Sequence, residues 1–237
     1  MKKKINSNVI KQAFIKTIPV LSGYIVLGIG FGIMLESNGF GLFWSLIMSL
    51  FIYAGSMQYV AIPFLVAGTN LITVALTTVM VNGRHLFYGI SMIDKYKQAG
   101  RKKPYMIFAL TDETYSLVCN GEYPEGEDEH TFYFLMSLFN HLYWITGCVA
   151  GSLIGAAITF NTAGIDFCMT ALFVTVVVEQ WLSTKQHLPA IIGFAGSLIC
   201  LLVFGPGNFM IPSMVVIAAA LTGCRRHLEK WEVSRDA

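Results

Sequence analysis

Residues 76–92 read LTTVMVNGRHLFYGISM, an apolar run with Asn82, Gly83, Arg84 and His85 at its centre. A run of this kind is long enough to enter a bilayer, and an arginine at membrane depth costs about 3 kcal/mol or more. Such a side chain is expected to face protein, water or a counter-ion, not lipid. A second polar group, Thr111, Asp112 and Glu113, interrupts another apolar run and is the obvious candidate to answer its charge.

The rest of the 237-residue chain fits this setting. It is 55% hydrophobic and 13% charged, against about 25% charged for an average soluble domain. Several apolar runs approach the ~20 residues needed to cross about 30 Å of hydrocarbon. The runs are continuous and not alternating, which argues against a β-barrel. The expected fold class is an all-α polytopic membrane protein in a single domain, with about six to eight membrane segments. The five cysteines form no CxxC pair and are read as packing residues, with no disulfide and no metal. Lys2, Lys3 and Lys4 precede the first apolar run, but no small-residue cleavage site follows, so that run is read as a retained span.

Lysine and arginine accumulate on the cytoplasmic side. The N-terminal Lys2–Lys16 cluster, the loop holding Lys95, Lys97, Arg101, Lys102 and Lys103, and the tail after Arg225 are all basic and assigned inside. The first span is expected from about Thr17 to Leu35, with Pro19 in its first turn. The acidic stretch 120–130 has no Lys or Arg and is assigned outside. Three apolar runs lie between the first two basic segments, so one of them cannot cross. Residues 42–68, broken by Gly55, Ser56, Gln58 and Pro63, are the expected re-entrant or broken element. At an offset of 123 residues, Gly28 matches Gly151, Gly32 matches Gly155, Asn38 matches Asn161 and Gly41 matches Gly164. Units 14–119 and 132–223, starting on opposite sides, would form an inverted repeat, a common transporter plan with the site between the units.

Isolated polar groups in spans are the candidates for chemistry. Arg84 either pairs with Asp112 or Glu113, or binds a substrate carboxylate through its two-pronged guanidinium. Gly55, Ser56, Gln58 and Asn82 join it as substrate-binding candidates. His85, Asp112, Glu113, His141 and Glu179 are proton-relay or charge-pair candidates, each with a structural alternative. Asp112 and Glu113 point about 100° apart on a helix, so at most one faces a given cavity. Neither GxxxxGK[ST], HExxH nor GxSxG is present, so the chain is not read as an enzyme, and energy for transport would come from a gradient or a partner. An intramembrane enzyme using His85 and Asp112 would lack a positioned nucleophile. A non-transporting scaffold or channel-like subunit is the alternative.

Three motifs resemble the AzlC family of branched-chain amino acid permeases, the large subunit of LIV-E type exporters. They are Ala54-Gly55-Ser56-Met57-Gln58, then Asn82-Gly83-Arg84-His85-Leu86 with Tyr88-Gly89, then Leu110-Thr111-Asp112-Glu113. The resemblance extends over about residues 10–223. It implies export of branched-chain and similar hydrophobic amino acids across the bacterial cytoplasmic membrane. It also implies a second, small membrane subunit of the AzlD type. No cofactor and no nucleic acid is expected, and both termini are expected in the cytoplasm.

Overall fold

The structure, a computed structural model, describes residues 7–119, 123–124, 127–157, 167–183, 187–205 and 209–233. All regular elements among them are helices: α1 (Ser7–Ser37), α2 (Leu42–Phe51), α3 (Gly55–Ala67), α4 (Leu71–Ser91), α5 (Lys103–Phe108), α6 (Asp112–Cys119), α7 (Glu129–Ala157), α8 (Phe167–Ser183), α9 (Leu188–Phe204) and α10 (Met210–Val233). Ser7–Ser37 is the one described helix that is both long and apolar enough to cross a membrane by those two measures. Leu42–Phe51, Gly55–Ala67, Leu188–Phe204 and Val215–Cys224 are apolar but shorter. The chain divides into two compact units, Met1–Leu172 and Phe173–Ala237.

The first unit is built on α1 and α7. A Cβ on Gly28 would meet the backbone of Gly147 and Cys148 at 2.9 Å, and one on Gly147 would meet the Tyr24 carbonyl at 2.9 Å. Farther along, Gly32 lies on Cys148 and Ser152, and Gly155 lies on Ile33 and Glu36. At the other end Phe14 packs edge-on against Phe139, and the Thr17 and Tyr143 hydroxyls are 3.1 Å apart. Residue numbers rise together on both helices, so α1 and α7 run parallel with their backbones in contact. The glycines that suggested a repeat are the two faces of this one interface, where small residues allow close approach. Parallel α1 and α7 do not fit inverted units that each open with one of them. Asn161 and Gly164, the remaining matches, lie outside the described residues.

Val9 and Ala13 at the start of α1 share a buried cluster with Met92, Tyr96, Ala99, Met106, Val118, Phe132 and Met136. The first turns of α1, which carry Lys11, and the basic 95–103 loop therefore lie at one end of the unit. That cluster also explains why α1 begins at Ser7, ten residues before the expected Thr17. Val9 and Ala13 have a core to fill, and Pro19 falls inside the helix. Lys95 Nζ donates to the Val118 and Cys119 carbonyls at 2.8 and 3.0 Å, and Lys102 pairs with Asp128 at 3.2 Å. The acidic stretch around Asp128 thus lies at the basic end, not opposite it as expected, where its charge meets lysines.

Two helical hairpins dip into the unit from opposite ends. In the first, α2 descends from Ser45, whose hydroxyl donates to the Cys148 carbonyl at 2.8 Å, to Ser49 beside His141. The chain reverses at residues 52–54, where Tyr53 adopts a left-handed φ of +41°. Then α3 climbs back through Gln58 at Trp144 to Tyr59, which donates to the Leu27 carbonyl at 2.7 Å. Gly55 allows this reversal to press on α7, because a Cβ there would meet the Trp144 ring at 3.0 Å. Gly68, at φ +59°, ends α3, and the Asn70 side chain caps α4 by accepting from the Thr73 amide at 2.9 Å.

The second hairpin is α5 and α6. Sequence reading makes residues 105–119 a plain apolar run, but the helix stops at Phe108 and restarts at Asp112. Thr111 caps the restart, its hydroxyl oxygen accepting from the Thr114 amide at 3.3 Å. Lys102 at one end and Cys119 at the other are both held at the basic end, so this segment enters and leaves by the same side.

In the second unit α9 packs on α10, where a Cβ on Gly196 would meet Ile217 at 2.9 Å. The Trp181 and His187 rings stack 3.9 Å apart. Among the described residues, Cys119, Cys148, Cys200 and Cys224 are in no disulfide. Asp166 and Lys185 lie outside the described residues.

Candidate functional site

The two hairpin tips meet midway along α4 and α7. Tyr53 of the first tip and Phe108 of the second have ring centroids 6.2 Å apart. Between them lies a cavity of about 220 Å³ lined by Ile52, Tyr53 and Ala54, by Ile107, Phe108 and Leu110, and by Asn82, His85 and Gly89 of α4. An apolar cavity of about 150 Å³ is large enough to hold benzene. This one therefore has room for a branched aliphatic side chain.

Arg84 ties both tips to α4. Its Nη1 is 2.8 Å from Asp112 Oδ2 at the start of α6, and its Nη2 donates to the Ser56 hydroxyl at 3.1 Å in the first turn of α3. The sequence pairing of Arg84 with an acid is thus realised with Asp112. The contact uses one prong only. Arg84 Nε and Asp112 Oδ1 are buried and make no hydrogen bond. Ser56 and Asp112 stand two residues after Ala54 and Leu110 of the cavity wall. Ala54 precedes α3 without a side-chain cap, which leaves the first-turn amides of that helix free of a side-chain partner.

Glu113 turns the other way, as the 100° step requires. It accepts from the Tyr24 hydroxyl at 2.6 Å, and that hydroxyl is 2.7 Å from Thr111 Oγ1. The chain of contacts continues from Thr111 to Thr114 at 3.1 Å and to Asn140 Nδ2 at 3.0 Å. Asn140 is fully buried and its Oδ1 has no partner.

The other candidates are distributed around this core. Asn82 and His85 line the cavity, and His85 Nδ1 is 3.2 Å from the Asn82 carbonyl one turn earlier. Gln58 is fully buried against α7, its Oε1 accepting from the Trp144 indole at 2.7 Å, and its Nε2 is unpartnered. Gly55 rests on the same tryptophan. His141 sits behind both tips, between the Ser49 carbonyl and the Tyr105 hydroxyl. Glu179 is on α8 in the second unit, and its side chain lies outside the described residues. Sequence reading missed Tyr24, Tyr53, Tyr105, Thr114 and Trp144. Only Thr111, a capping residue followed by two acids in a first turn, left a local signal.

Comparison with known proteins adds an independent line. The AzlC protein family model matches residues 19–158. The branched-chain amino acid transport protein AzlC of Bacillus subtilis is 45% identical over 94% of this chain and 88% of its own length. A Helicobacter pylori protein described as an uncharacterized membrane protein is 41% identical over 92% of this chain and 96% of its own. The inner membrane protein YgaZ of Escherichia coli is 27% identical over 93% and 91%. No solved structure matches.

Proposed function

The chain belongs to the AzlC protein family, and from that membership we propose that it is a membrane permease exporting branched-chain and similar hydrophobic amino acids. It works as a proton-coupled secondary transporter with a small AzlD-type membrane subunit. The Bacillus subtilis relative, a branched-chain amino acid transport protein, supports the substrate class.

The observation that carries the site is the one-pronged Arg84–Asp112 pair at the meeting of the hairpin tips. An amino acid is a zwitterion, and this pair offers both complements. Its carboxylate takes Arg84 through Nε and a second guanidinium nitrogen, with the α3 first turn adding amide donors. Its ammonium takes Asp112 through the vacant Oδ1. One internal ion pair is exchanged for two external ones, so no net charge enters the site and each charge taken from water meets an opposite one. The aliphatic side chain fills the cavity between Tyr53 and Phe108. Lysine, with a second charge, has no partner there.

With the basic end in the cytoplasm, α1, α4 and α7 cross the bilayer and the hairpins enter from opposite faces. Each hairpin then screens the site from its own side, the arrangement alternating access needs. His85 at the cavity and Glu113 behind the second tip are the groups placed to carry a coupled proton. The N- and C-termini face the cytoplasm.

The test is counterflow of radiolabelled leucine in proteoliposomes, with and without the AzlD-type subunit. Saturable exchange is expected, competed by isoleucine and valine and not by lysine. Absence of exchange with the partner present overturns the permease reading in favour of a scaffold subunit. Efflux that ignores a collapsed proton gradient removes the proton coupling and leaves the permease.

A further inference from the structure

Arg84 is not the only side chain that touches both hairpins. His141, 4% exposed on α7, is bonded to both as well, from the opposite flank. Its Nε2 lies 3.2 Å from the Ser49 carbonyl of α2, and its Nδ1 lies 2.9 Å from the Tyr105 hydroxyl of α5. A carbonyl oxygen only accepts, so Nε2 carries a proton, and Nδ1 shares the second hydrogen bond with the Tyr105 hydroxyl. Its ring also lies 4.2 Å from the Tyr53 ring of the first tip and 5.7 Å from the Phe108 ring of the second.

Thus α4 ties α3 to α6 through Arg84, and α7 ties α2 to α5 through His141. These two side chains each bond to an arm of both hairpins, whereas Ser45, Gln58, Tyr59, Glu113 and Thr114 each tie one hairpin alone to α1 or α7. The two ties differ in what a substrate does to them. A zwitterion that takes Arg84 and Asp112 replaces the first tie. The second has no free prong to offer and stays in place.

We propose that His141 is a positioning residue that couples the two hairpins, so that release of one tip is transmitted to the other. This rests on the permease reading for its purpose, since the coupling would keep the site from standing open while one gate is shut. The link itself is a property of the fold and is measurable without substrate.

The gentlest perturbation is Tyr105→Phe, which removes one hydrogen bond and keeps the ring packed on Phe134 and Phe108. Cysteine probes at Ala54→Cys and Leu110→Cys, one on each tip, report opening by their rate of reaction with a small hydrophilic thiol reagent. The full chain is labelled in detergent, and each site is resolved by peptide mass spectrometry. Loss of a hydrogen bond of this kind is expected to speed labelling about fivefold. The proposal expects that acceleration at both probes, although the lost bond belongs to the second hairpin. His141→Gln, which keeps a donor for the Ser49 carbonyl and no ring acceptor, is expected to behave as Tyr105→Phe does. Acceleration at Leu110→Cys alone, or at neither probe, overturns the coupling. Leucine counterflow by the parent protein is read separately, so failure of the permease reading leaves this result intact.

Discussion

Replacing Arg84 tests the exchange of ion pairs more sharply than any other change. The Arg84–Asp112 contact is 2.8 Å, and the two side chains are 27% and 30% exposed. Removing one partner of a fully buried pair costs about 3–5 kcal/mol, while exposed pairs contribute about 0–1. At this exposure Asp112→Ala is expected to cost about 2 kcal/mol, between those two limits. Arg84→Ala also removes the donor to Ser56 and should cost about 3 kcal/mol. The double variant should cost about 3 and not about 5, because the same pair is lost only once. For a chain this size each kcal/mol shifts the melting temperature by about 2–4 °C. The pair therefore contributes about 4–8 °C in a thermal melt in detergent. Leucine counterflow should vanish in all three variants. Arg84→Lys is the informative one. Lysine can still face Asp112 and should recover most of the melt, but it has no fork, so exchange should remain lost. Normal exchange by Arg84→Lys would refute the role given to the spare Nε. A double variant whose melt falls by the full sum would refute the pairing itself.

Two other outcomes follow from the fold. At Gly32 an added Cβ presses into the Cys148 carbonyl and meets the Ser152 amide nitrogen at 2.5 Å, both rigid backbone, so Gly32→Ala should cost about 3 kcal/mol or more in the detergent melt, whereas Gly23→Ala has open space and should be neutral. The Thr131 hydroxyl, and after it Lys102, hold the Asp128 carboxyl below its ordinary range. A lowered value means that its contribution is present above the unfolded pKa of about 3.9 and is lost as pH falls below that, so Asp128→Asn should melt slightly lower than the parent at neutral pH and converge with it in acid, which flattens the acid side of the melting profile.

The pairing of Arg84 with an acid was legible because an isolated charge in an apolar run must be answered, and few acids are available. The divergence of Asp112 and Glu113 was legible from helical geometry alone. The break at residues 52–54 announced itself through Gly55 and the polar residues after it. The second break was marked only by Thr111, a capping residue before two acids, since Ala109, Leu110 and Thr111 contain neither glycine nor proline. Tyr24 and Trp144 were hidden because an aromatic in an apolar run reads as core until its polar end is seen to have a partner, and Tyr53 because its role lies in ring contacts with Phe108 and His141. The glycine spacings of α1 and α7 were visible but misread. Two faces that mesh with each other carry the same spacing as two copies of one unit, and only the direction of the helices separates the cases.

The parallel pairing of α1 with α7 also sets an order of assembly. Cys148, His141, Trp144 and Asn140, which hold the two hairpins, all come from α7, the last of these elements to leave the ribosome. At about 5–20 residues per second, the roughly 100 residues from the end of α2 to the end of α7 take about 5–20 s to make. Through that interval the first reversal, with its left-handed Tyr53, lacks the Trp144 ring on which Gly55 rests, and Gln58 has no indole to bond. A nascent chain stopped before Glu129 contains both hairpins and none of their α7 anchors. It is the species that an insertase or a membrane protease would meet first.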